Sequence, residues 1–139
     1  MGKYFTIAEL TNSATAKAKK IDNTPNAEQT KNLEELIKTL DIIREHFGSP
    51  ITITSGFRSW QLNSAVGGSK TSHHARGMAS DMVCKDNKAL FDLIIKLKDQ
   101  KIIAFTQLIN EKPLKDGTPS WVHLGVDPKD LKNQILTIK

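Results

Sequence analysis

The sequence holds a single cysteine, Cys84, among 139 residues. One thiol cannot close an internal disulfide, so the fold does not depend on oxidation, and a structural zinc site built from several thiolates is excluded. Arginine is nearly as scarce, with three against 17 lysines. The net charge of +5 therefore rests on lysines, which are scattered among acids and form no stripe. That pattern argues against a specific nucleic-acid partner and for a soluble surface that suits anionic polymers. No apolar run approaches the roughly 20 residues of a membrane span, so no membrane insertion is expected. The opening Met1-Gly2-Lys3-Tyr4-Phe5 has no long apolar leader segment, and the chain is expected to stay cytoplasmic until another route releases it.

What is present is ordinary for a globular protein: 38% hydrophobic and 25% charged residues. No repeat, low-complexity tract or long linker divides the chain, so a single domain over 1–139, working as a monomer, is expected. Residues 6–20 read as a short helix with a polar extension. Asp22-Asn23-Thr24-Pro25 reads as a turn whose proline opens a helix. Leu33, Leu36, Ile37, Leu40, Ile43 and Phe47 recur at helical spacing on one face, and Gly48-Ser49-Pro50 ends that helix. Strands are expected at 51–54, 78–84, 104–109, 121–126 and 135–138, with helices near 59–65 and over 87–98. Early helices followed by strands on short connections predict an α+β domain with a mostly antiparallel sheet and helices packed on it.

Of four histidines, His46 lies in the last turn of the long helix, where a cation suits the helix dipole. His73-His74 is different, because it follows a glycine-rich loop and precedes a strand carrying Asp81. On that strand Ala79, Asp81 and Val83 share a face, and an acid there is costly to bury unpaired. His123 sits in Trp121-Val122-His123-Leu124-Gly125, another strand suited to a core. Two histidines and a carboxylate would give zinc three ligands and one open position, the arrangement that activates water. Spacing alone leaves the other reading open, a satisfied core histidine and an aspartate paired with arginine.

Ser72-His73-His74-Ala75-Arg76-Gly77-Met78-Ala79-Ser80-Asp81 resembles the Ser-x-His-x-x-Gly-x-Ala-x-Asp signature of the zinc D-alanyl-D-alanine carboxypeptidase family. Ser55-Gly56-Phe57-Arg58-Ser59, with Asn63 and Val66-Gly67-Gly68, is similar to a second motif of that family, and Trp121-Val122-His123 to a third. The Tyr4-Phe5 opening and the Asp22–Pro25 turn resemble a branch common in phages and bacterial genomes. The resemblance implies a Hedgehog/DD-peptidase-like fold and one Zn2+ per chain, held by His74, Asp81 and His123. It implies that Arg58 holds the substrate carbonyl or oxyanion, and that Ser72 either binds substrate or shapes the loop.

Many relatives place the catalytic acid three residues before the last histidine, where this chain has Ser120. Glu111, at the start of a lengthened polar loop, is the expected base, with Asp116 in reserve. The implied activity is hydrolysis of amide bonds in peptidoglycan stem peptides, of the D-alanyl-D-alanine carboxypeptidase or L-alanyl-D-glutamate endopeptidase type. Such an enzyme would serve wall turnover or phage lysis. The same fold also occurs in Hedgehog signalling domains, where such a zinc site can lack peptidase activity. The alternative is accordingly a non-catalytic, zinc-containing wall-binding or phage tail module.

Overall fold

The computed structural model describes residues 2–139. The chain begins with two short helices, α1 (Ile7–Thr11) and α2 (Ala14–Lys19). The single helix expected over this stretch is split because Ser13 starts a new one: its hydroxyl accepts from the Ala16 amide, as Thr6 does from Glu9. The long helix α3 (Ala27–Phe47) follows. It is opened by Asn26 and not by Pro25. Asn26 Oδ1 accepts from the Gln29 amide at 2.8 Å, and Gln29 returns the contact to the Asn26 amide at 2.9 Å. Gly48, in the left-handed region at φ 75°, closes it.

Five strands form one sheet in the order β1-β2-β4-β3-β5. They are β1 (Ile51–Ser55), β2 (Ala79–Cys84), β3 (Gln107–Glu111), β4 (Trp121–Gly125) and β5 (Gln134–Ile138). Between β1 and β2 lie helix α4 (Trp60–Ala65) and a 3-10 turn at His73–Arg76, and α5 (Asn87–Asp99) links β2 to β3. All pairings are antiparallel except that of β3 with β5. The architecture is the expected α+β arrangement, a Hedgehog/DD-peptidase-like fold.

Strand alternation gives the sheet two different faces. Met82, Leu108, Val122 and Leu124 enter the core, where they meet Leu33, Leu36 and Leu40 of α3 and Leu90, Ile94 and Leu97 of α5. Each leucine fully buried there contributes about 1.5–3 kcal/mol, so Leu36→Ala should cost about 2–5 kcal/mol. The intervening residues face the opposite way. Asp81, His123 and Ile109 lie in one row across β2, β4 and β3, with Glu111 in the next row opposite Trp121.

The third strand begins and ends later than the expected 104–109. Phe105 is held by Asn133, which donates its amide to the Phe105 carbonyl at 2.7 Å and accepts the Phe105 amide at 2.9 Å. The far end extends because Ser120 N donates to Glu111 O at 3.0 Å and Lys112 N to Ile138 O at 2.7 Å. Glu111 is thus the last residue of a strand and not the first of a loop. That fixes the side of the sheet on which its carboxylate lies.

Candidate metal centre

The 3-10 turn carrying His74 is anchored from both sides. The Ser72 hydroxyl accepts from the His74 amide at 3.1 Å and caps the turn. Gly77 ends it at φ 77°, and a Cβ there would meet Gln29 O at 2.6 Å, so the turn lies directly against α3. Gln29 and Asn32 of α3 donate to the carbonyls of Ala75 and Arg76 at 3.2 and 2.9 Å. The His74 ring is then oriented by its own hydrogen bond, with Nδ1 2.8 Å from Gly56 O. A carbonyl only accepts, so Nδ1 carries the proton and Nε2 keeps its lone pair for a ligand.

That Nε2 lies 3.4 Å from Asp81 Oδ2, while His123 Nδ1 lies 2.9 Å from Asp81 Oδ1. All three side chains are buried, with 4% of His74, 8% of Asp81 and 9% of His123 exposed. Burial on its own raises the Asp81 carboxyl. The hydrogen bond from His123, with the neighbouring imidazole of His74, more than reverses this, and the group is held well below the ordinary carboxylate range. A buried anion flanked by two imidazoles has the donor chemistry of a cation site.

The spacing fits zinc. Bonds of about 2.0–2.1 Å at tetrahedral angles separate two ligand atoms by about 3.3 Å, close to the His74–Asp81 distance. One ligand atom from each of the three residues lies within 4.8 Å of the others. Among the described residues this is the group of histidine, cysteine and acidic side chains that converges in this way. Cys84 takes no part, since it packs against the core.

Arg58 stands beside the triad with its guanidinium held by three elements. Nε donates to Ser55 Oγ of β1 at 3.2 Å, and Nη1 to Asn63 Oδ1 of α4 at 3.3 Å. Nη2 lies 3.8 Å from Asp81 Oδ2 of β2. Burial lowers the guanidinium's pKa and the Asp81 charge opposes the shift, and the group stays cationic. Its backbone is fixed as well. Arg58 N donates to His74 O at 3.1 Å, and Phe57 N to Leu10 O at 2.7 Å. The Asn23 amide group donates to Thr11 O and Phe57 O and accepts from Ser59 N, clipping the segment before and after Arg58.

Glu111 shares the sheet face of Asp81 and His123. Burial raises its carboxyl above the ordinary range; His123 and His74 oppose this, while Asp81 reinforces it. Asp116 is not brought to the site: its carboxylate accepts from Thr118 N at 2.9 Å on the exposed loop, and it is held down by that bond. Ser120, three residues before His123, donates to Lys112 O at 2.6 Å. His73 packs over Gly125 beside His123, and burial lowers its pKa.

Reading motifs did not give roles to Asn63, Asn23 or the Gly56 carbonyl. Asn63 is 2% exposed and uses both ends of its amide, donating to Ser69 O at 2.8 Å. Gly68 is matched to it, because a Cβ at that position would collide with Asn63 Oδ1. The available signal was the pair itself, a polar residue inside an otherwise helical run followed by two glycines.

Compared with known proteins, the chain is matched over residues 3–110 by the model of a family described as Peptidase M15. The match takes in Arg58, His74, Asp81 and Asn63, and stops before Glu111 and His123. No curated protein matches the chain.

Proposed function

The chain belongs to the peptidase M15 family of zinc peptidases, and on that premise we propose that it hydrolyses amide bonds in the peptide stems of peptidoglycan. The observation that carries this reading is the convergence of His74, Asp81 and His123 on one point, with Arg58 at one side and Glu111 in the next row of the same sheet face. Zinc held there by His74 Nε2, Asp81 and His123 Nδ1 would polarise the amide carbonyl and make water more acidic.

The chain's own groups supply the rest. Glu111 accepts a proton from the attacking water and returns one to the leaving amine. Its place on the sheet face of Asp81 and His123 suits it to this work, since a base must lie on the side where the water is held. Arg58 is pre-set by Ser55 and Asn63, so its remaining N–H groups can hold the carbonyl oxygen as negative charge develops, with no reorganisation at that moment. Ser72 is spent on capping the turn at His74 but can still donate its own proton to a substrate carbonyl.

The basic surface suits an anionic wall, and we place the activity in wall turnover or in lysis by a phage or prophage. Among the described residues no helix is long and apolar enough to cross a membrane.

The test is a digest of purified murein and of free stem peptides by zinc-loaded protein, with mass analysis of the products. New amine ends from the wild type and their loss in Glu111→Gln, zinc still bound, are expected. Intact murein with zinc bound to the wild type would replace the peptidase with a wall-binding module. The product masses distinguish a terminal D-alanyl-D-alanine cut from an L-alanyl-D-glutamate cut.

A further inference from the structure

A groove of about 690 Å3 lies away from the triad. It runs along the N-terminal half of α3 and the outer side of the 3-10 turn, with Trp60 at the start of α4 and the 127–129 segment as its other walls. Trp60 is 48% exposed, and it is absent from the apolar cluster. Ser59 already caps α4, so the helix needs no aromatic residue at its first position. A large flat indole left in a groove is the feature that needs a partner.

The rest of the lining narrows what that partner is. Glu28, Glu35 and Asp127 are balanced by Lys31, Arg76 and Lys129, so the groove offers no net charge to a polyanion or a polycation. The lining consists of helices, the turn and a loop, with no β-strand, so an extended peptide could not add there as a strand. Planar polar groups remain free. Asn32 spends its Nδ2 on Arg76 O and keeps its Oδ1, and Arg76 reaches Asp127 through a single nitrogen at 3.9 Å. An aromatic plate ringed by amide, carboxylate and guanidinium groups of balanced sign matches a neutral ring with an apolar face and an equator of hydroxyl and acetamido groups.

We propose that this groove is a saccharide subsite that binds the glycan strand of the wall. The proposal rests on the peptidase reading for its biological meaning but on the groove alone for its chemistry. Ala75 lines the groove and directly follows His74 in the chain, and Trp60 is two residues beyond Arg58. Consecutive Cα atoms are about 3.8 Å apart, so a glycan strand in the groove lies beside the turn whose inner side carries the metal ligand. The favoured substrate is then a stem still attached to its sugar.

The test uses a β-1,4-linked N-acetylglucosamine tetramer, which has sugar rings and acetamido groups but no stem peptide. In titrations of the zinc-loaded 15N-labelled protein, the Trp60 indole and Asn32 side-chain amide resonances should shift saturably while the Trp121 indole stays in place. Trp60→Ala should weaken binding about tenfold, the loss of one stacked ring. As a second variant, Asn32→Ala should weaken it also. Trp60→Ala should raise KM for glycan-linked stems and leave hydrolysis of free stem peptides unchanged.

The proposal is overturned if the tetramer causes no saturable shift, if the shifts centre on the triad, or if Trp60→Ala binds as tightly as the wild type. A short neutral peptide that occupies the groove in place of the tetramer would overturn it too. Wild type that binds the tetramer but leaves murein uncut would refute the peptidase reading and leave the saccharide site standing. Cleavage without tetramer binding would do the reverse.

Discussion

Asn63 hydrogen-bonds to Arg58 and Ser69 and not to the triad, yet its removal should damage activity through Arg58. Asn63→Ala deletes a neutral hydrogen bond to Ser69 O and the acceptor that faces the guanidinium. The first is worth about 0.5–1.5 kcal/mol and the second, to a charged group, about 1.5–3 kcal/mol, so the variant should lose about 2–4 kcal/mol of stability. For a chain of this length that corresponds to a fall in Tm of roughly 6–15 °C.

The functional loss is separate from the structural one. Freed at Nη1, the guanidinium retains Ser55 and the longer approach to Asp81. Losing a whole oxyanion donor costs about 100- to 1000-fold in kcat, and a donor merely loosened should cost at least about tenfold. The decisive assay is a double-mutant cycle below the melting range of every variant. In an Arg58→Ala background, Asn63→Ala should have almost no further effect on kcat, because the group it positions is gone. If Asn63→Ala lowers kcat by the same factor with and without Arg58, then the asparagine acts on the loop alone and the positioning argument is wrong.

The remaining expectations are simpler. Burial raises the Glu111 carboxyl above its ordinary 4.5, and a base must be ionised to act. The acid limb of the kcat/KM profile should therefore vanish in Glu111→Gln, and a limb unchanged in that variant would remove Glu111 from the role. Stability runs the other way. The fold favours the protonated form, so Glu111's contribution is full below its unfolded value and is lost as the pH rises through the higher folded one. Chelation should lower Tm and zinc should restore it, adding about 2.7 kcal/mol to the unfolding free energy when free zinc is one hundred times Kd, and His74→Ala should abolish the restoration. Asp116→Ala should leave kcat within about twofold of wild type and change Tm little, as expected of an exposed loop residue; a large loss of kcat would make it the base in place of Glu111.

The parts of this protein legible in its sequence are those set by periodicity. The helical spacing of Leu33, Leu36 and Leu40 gave the face of α3 that enters the core, and strand alternation grouped Asp81 with Ala79 and Val83 on one face of β2. What periodicity could not supply was register. Strand β3 lies two or three residues later than its apolar run suggests, because Asn133 captures Phe105 and the ladder runs on through Glu111. The shift turns Glu111 from a loop acid into one directed by a strand. Three-dimensional hydrogen bonds are equally silent in a single chain of letters. The Asn23 clip spans 34 positions to Phe57. The Gly56 carbonyl that sets the His74 tautomer is 18 positions away from it.

The central claim is that one zinc ion sits between His74, Asp81 and His123. X-ray absorption at the zinc edge, recorded on protein loaded to saturation, measures this directly and without reference to activity. The account predicts about one zinc per chain in a shell of two imidazole nitrogens and carboxylate and water oxygens at about 2.0–2.2 Å. It also predicts that Asp81→Ala abolishes that shell. A sulfur neighbour at about 2.3 Å would move the metal to Cys84, and zinc bound equally well by Asp81→Ala would contradict the triad.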